Sequence, residues 1–161
     1  MRIGLLLTLF FTLQLSACGF HLRGNSQVVE SLNPLYIVEE QLEPAQLILI
    51  QKQLIRSGAR LTPSEQGSNQ IQIKLVSLKN RKIASSSISD VELVQLRMNL
   101  LFSVMTESGD FLFEQQELVE SVEIELDNAN VLAHEQTINR ARLGLQRRLI
   151  QNMISQLGHQ R

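Results

Sequence analysis

The sequence predicts an α+β domain, a two-layer sandwich with two helices packed on one face of a four-stranded mixed sheet, in the order β-α-β-β-β-α. Three observations carry this. Val94, Leu96, Met98, Leu100, Phe102 and Val104 recur at period two, the spacing that puts side chains on one face of a strand. Leu47, Ile50 and Leu54, and later Ile138, Ala141, Leu145, Leu149, Met153 and Leu157, recur at helical spacing and form two apolar stripes that must be buried on something. Turn residues separate these segments, and strands grouped apart from helices point to an α+β layer architecture. The chain has no tryptophan and one tyrosine, Tyr36, so the core is aliphatic. With a single cysteine, Cys18, no disulfide forms within the chain and stability comes from apolar burial.

Taken in order, residues 24–33 are rich in Gly, Asn, Ser and Gln and read as a tether. The folded domain is expected over 34–161. Pro34 stands where a strand can begin, and Leu35-Tyr36-Ile37-Val38 has strand composition. Pro44 suits the first turn of a helix, where a missing N–H costs nothing. Lys52 and Arg56 complement the dipole of the later turns, and Gly58 is a left-handed stop, so helix one runs over about 44–57. Residues 62–69 form a loop. Ile71, Ile73 and Leu75 alternate with Gln72, Lys74 and Val76 as strand two, which extends to Leu78 or beyond. The serine-rich segment 80–90 is expected as a hairpin tip or extended ribbon. Strand three carries the six-residue alternation. Ser108-Gly109-Asp110 closes a hairpin. Strand four spans 111–126, and its apolar set changes parity between Phe113 and Leu118, which a bulge near Gln115-Gln116 explains. Asp127, Asn128 and Asn130 mark a turn and a helix cap. Helix two then runs over 131–157, with Arg140, Arg142, Arg147 and Arg148 on or beside its polar face and Gly158 at its end.

The N-terminal stretch is of another kind. Arg2 precedes an apolar run over residues 3–13, broken by Gly4, Thr8 and Thr12, and the run leads into Leu15-Ser16-Ala17-Cys18. The run is too short to span a bilayer comfortably, and its flanks fit an export signal. Leu-Ser-Ala-Cys resembles the lipobox of bacterial lipoproteins. Small side chains at Ser16 and Ala17 admit the backbone to a peptidase cleft, and the Cys18 thiol supplies the nucleophile for thioether lipid attachment. The expectation is a signal peptide over 1–17, removed, and a lipidated N-terminus and tether over 18–33.

Cys18-Gly19-Phe20-His21-Leu22-Arg23-Gly24 also resembles the mature N-terminus of the LPS-assembly lipoprotein LptE family, which has Cys-Gly, an aromatic residue and His-Leu-Arg after the lipidated cysteine. The resemblance implies the same two-layer α+β fold. It further implies an outer-membrane lipoprotein on the periplasmic side. Its partner would be LptD, a large outer-membrane β-barrel that it plugs and helps to assemble, enabling lipopolysaccharide insertion in the outer leaflet. The alternative from the residues alone is a generic envelope lipoprotein that scaffolds another outer-membrane complex.

No catalytic constellation is expected. Ser85, Ser86, Ser87 and Ser89-Asp90 lack a nucleophile elbow, and His21, His134 and His159 lack zinc-ligand spacing. No metal or cofactor is predicted. Glu114, Glu117, Glu120, Glu123 and Glu125 read as a solvated strand or hairpin edge. With 15 basic and 16 acidic residues, a broad nucleic-acid surface is not expected. The second face of the sheet would carry Gln95, Arg97 and Asn99. A polar skin over an aliphatic core suits a plug, because barrel lumens are polar. Lys79, Arg81 and Lys82 supply three charges within four residues. They are candidates, with Arg97, for contact with the phosphates of lipopolysaccharide at a flexible hairpin. The alternative is a solvated charge run that guards a strand edge.

Overall fold

Buried and open side chains alternate along residues 91–105 of the computed structural model, which describes residues 28, 30–39, 42–85, 91–127 and 131–159. A short 3-10 turn, Glu30–Leu32, leads into β1 (Leu35–Val38), α1 (Pro44–Arg56), β2 (Asn69–Ser85), β3 (Val91–Met105), β4 (Phe111–Asp127) and α2 (Val131–Leu157). The strands form one sheet in the order β1-β2-β3-β4, with β1 parallel to β2 and the other neighbours antiparallel. An isolated parallel bridge, Leu35 to Leu61, touches the outer side of β1. The predicted β-α-β-β-β-α fold of two helices on a mixed sheet is the one adopted.

Local chemistry explains the element ends. Pro44 occupies the first turn of α1, and the Gln46 side chain accepts the Glu43 N–H at 3.2 Å, satisfying one donor the helix start leaves open. After α1 the chain turns at Gly58, with φ of +88°, a conformation that costs a residue with a Cβ. The Asn33 side chain then ties the approach to β1 to this turn. It donates to Gly58 O at 3.3 Å and accepts from the Arg60 N–H at 2.8 Å. The β3–β4 hairpin closes where Thr106 N–H donates to Asp110 O at 2.8 Å.

Both helices and one face of the sheet share a single core. Ile50 and Leu54 of α1 and Leu145, Leu149, Ile150, Met153 and Leu157 of α2 are fully buried. Below them lie Leu35, Ile71, Ile73, Leu96, Leu100, Phe102 and Val104. A strand of 15 to 17 residues is roughly 50 Å long. The 27 residues of α2 reach about 40 Å, but the 13 of α1 only about 20 Å. The two helices therefore cover one end of the sheet together, and α2 alone runs out over the other.

One expectation resolves between its alternatives and another changes. Segment 80–85 is the extended ribbon, not the hairpin tip: β2 continues through it, paired with β3 as far as Ser85 opposite Glu92. Residues 86–90 and 128–130 lie outside the described residues, as do Cys18 and His21. The stretch read as tether contributes to the core, with Val28 at 5% exposure and Leu32 at 0%. Val28 N–H donates to Ser57 O at 2.8 Å, which pins it to the C-terminal end of α1. The parity change in β4 is a bulge. Glu114 and Gln115 together oppose Ser103, one residue before the expected place, and Leu112 forms a second irregularity.

Candidate functional site

Among the described residues nothing covers the face of the sheet away from the helices, and register decides what stands on it. Residues paired across antiparallel strands point to the same side. Lys74 is opposite Leu101, Val76 opposite Asn99, Lys79 opposite Arg97 and Arg81 opposite Gln95. Across β3 the same rows continue from Leu101 to Glu117, Asn99 to Val119, Arg97 to Ser121, Gln95 to Glu123 and Leu93 to Glu125. Since Leu96, Leu100 and Phe102 face the helices, these alternate residues face outward. Gln95, Arg97 and Asn99 stand where the alternation of β3 predicts them.

The basic cluster is split. An extra residue in β2 between Val76 and Lys79 resets its parity, so Lys79 and Arg81 join Arg97 on the uncovered face. Lys82 falls on the opposite face, opposite Val94, and its Nζ is 3.2 Å from the Glu92 carboxylate. The hairpin expected to present all three cations together is replaced by a paired ladder that separates them. Within the ladder Lys79 and Arg81 are about 6.6 Å apart along the strand, and Arg97 stands directly across from Lys79. All three are exposed, and among the described residues none has an ion-pair partner. Like charges directly opposite one another destabilise a sheet, so this grouping favours an anion that bridges them. Lys74 joins the same side of the face. It lines, with Gln72, Val76, Leu101, Ser103 and Gln115, a depression of about 440 Å³. Its part was missed because a single lysine in a polar alternation carries no signal of its own.

The carboxylates of β4 stand on an edge strand as expected, with Glu114, Glu117, Glu123 and Glu125 exposed and Glu120 half-buried. Glu117, Glu123 and Glu125 are on the uncovered face, where Glu117 accepts a hydrogen bond from Asn99 Nδ2. Glu120 is on the helix side, opposite Met98, held by Arg148 and Asn152 of α2. His134 lies in the first turn of α2, and the His159 ring meets the Ser155 carbonyl. Among the described residues no three His, Cys, Asp or Glu side chains gather as a metal site.

No family model matches the sequence, and no curated protein matches it. Solved structures do resemble the fold. Uncharacterized lipoprotein B from Nitrosomonas europaea superimposes with a TM-score of 0.67 at 19% identity, over 87% of this chain and 90% of that one. A minor lipoprotein from Acinetobacter baumannii gives 0.57 at 15%, over 78% and 88%. The rare lipoprotein B from Shewanella oneidensis gives 0.56 at 15%, over 76% and 93%. At these identities the likeness is one of fold.

Proposed function

We propose that this chain is a non-catalytic envelope lipoprotein, anchored through Cys18 on the periplasmic side of the outer membrane. There it complexes with the LptD β-barrel as plug and assembly factor for lipopolysaccharide transport. Two lines support the reading. The Cys18–Gly24 motif resembles the LptE family, and the fold resembles three proteins described as lipoproteins. The observation that carries it is the sheet with one face sealed on an aliphatic core and the other mostly polar and open among the described residues. A plug in a polar lumen needs such a skin.

Direct contact with lipopolysaccharide is part of the proposal, at Lys79, Arg81 and Arg97. Guanidinium groups grip phosphate as planar forks and lysine acts as a point charge. Lys82, turned away and neutralised by Glu92, leaves the set.

Two experiments test this. The detergent-extracted chain is expected to carry the barrel through purification, and its absence at every salt concentration sinks the plug role. Lipopolysaccharide binding should fall about tenfold or more, and lose part of its salt dependence, when Lys79, Arg81 and Arg97 become alanine. Lys82→Ala should leave it unchanged. Equal binding by the triple variant removes the site and leaves the plug role standing.

A further inference from the structure

The uncovered face is polarised in charge from strand to strand. Between Asn69 and Ser85, β2 has four cations, Lys74, Lys79, Arg81 and Lys82, and no acid; β4 has Glu114, Glu117, Glu120, Glu123, Glu125 and Asp127 and no base. The rows make the separation geometric. Lys74–Leu101–Glu117 and Arg81–Gln95–Glu123 each run from a base across a neutral residue to an acid. Two strand spacings, about 9.5 Å, separate the backbones of base and acid, and no ion pair joins them among the described residues. Lys74, Arg81 and Glu123 have no ion-pair partner among the described residues.

We infer that this face is self-complementary and takes a second copy of the same chain, sheet against sheet. The sign pattern selects the symmetry. A two-fold axis running along β3, between two such faces, brings the β2 of one copy over the β4 of the other and preserves the level along the strands. Arg81 then faces the partner's Glu123, and Lys74 faces the partner's Glu117. A two-fold axis across the strands would put β2 on β2 and β4 on β4, base on base and acid on acid. The favoured operator gives an isologous, closed dimer with the sheets aligned within about 30°. Val76 then meets the partner's Val119 beside the axis, while Asn99 and Arg97 stand at the centre of the contact. The face from Lys74 to Arg81 measures roughly 14 by 26 Å, which puts the contact in the weak, reversible class. One contact opposes it: Arg97, on the axis, meets the partner's Arg97.

The dimer does not rest on the barrel reading. It occupies the same face as a lumen wall or an anionic ligand, so it is the form the chain takes before it meets either.

Sedimentation of the detergent-solubilised full chain at high micromolar concentration and low ionic strength tests it. The wild type is expected as a dimer that dissociates in salt. Lys74→Glu with Arg81→Glu sets acid against acid in the two matched rows, and Glu117→Lys with Glu123→Lys sets base against base there. Each variant alone should be monomeric, and an equimolar mixture should associate. Arg97→Gln should tighten the wild-type dimer several-fold. A monomeric wild type, or charge variants that dimerise alone as well as the wild type, overturns the inference. So does a monomeric wild type whose charge variants lose only the barrel, which would assign the polarised face to the lumen wall.

Discussion

Arg148 Nε of α2 lies 3.3 Å from Glu120 Oε2 of β4, and Asn152 Nδ2, one helical turn on, donates to the other carboxylate oxygen at 2.8 Å. Glu120 is the acid of β4 that points toward the helices, opposite Met98. The pair ties the long helix to an edge strand where the apolar core ends. Both side chains keep part of their exposure, 46% for Arg148 and 25% for Glu120, so solvent screens the attraction.

A double-mutant cycle on Glu120→Ala and Arg148→Ala should give a coupling of about 0.5–1 kcal/mol in urea denaturation. Glu123→Ala, on the uncovered face, should stay within about 0.5 kcal/mol of wild type. Additive losses at Glu120 and Arg148 would mean that the contact has no energetic role.

Leu100 is fully buried at the centre of the alternating strand. Leu100→Ala should cost about 2–5 kcal/mol, the lost transfer energy plus a cavity. Arg97→Ala, three residues before it on the other face, should cost less than about 0.5 kcal/mol. Equal effects at the two positions would contradict the parity of β3.

Leu32 precedes the first strand yet has no exposure. Leu32→Ala should cost about 2–5 kcal/mol. A chain cut to begin at Pro34 should lose that and the Val28 contact with the end of α1, and unfold at a visibly lower temperature. Unchanged melting of the shortened chain would show that the segment is dispensable.

Mass spectrometry of the mature N-terminus should find residues 1–17 removed and Cys18 acylated with three chains. At about 0.8 kcal/mol per buried CH₂, two or three chains hold a protein on a bilayer almost irreversibly. Cys18→Ser should abolish acylation and release the chain from membranes. An unmodified Cys18, or a retained signal, contradicts the lipobox reading.

Much of the fold was legible because burial leaves a periodic trace. The alternation from Val94 to Val104 named the inner face of β3, and all six are buried. The stripe from Leu145 to Leu157 did the same for α2, and Pro44 and Gly58 bounded α1 within a residue. Such signals are local, since the period that marks a buried face is written in consecutive residues whatever they pack against. Val28 and Leu32 escaped because two isolated apolar residues in a polar stretch have no period to read.

The sequence by itself determined the element order, the aliphatic core, the parity of β3, and the motif at Cys18. Only the tertiary structure decided which charges share a face. That depended on single extra residues, one in β2 between Val76 and Lys79 and others in β4 near Gln115. A one-residue slip turns every later side chain to the other side of a sheet. It sent Lys82 to Glu92, brought Lys79 opposite Arg97, and left Glu120 to Arg148. The slip is absorbed by pairing with a strand distant in the chain, so no local pattern records it.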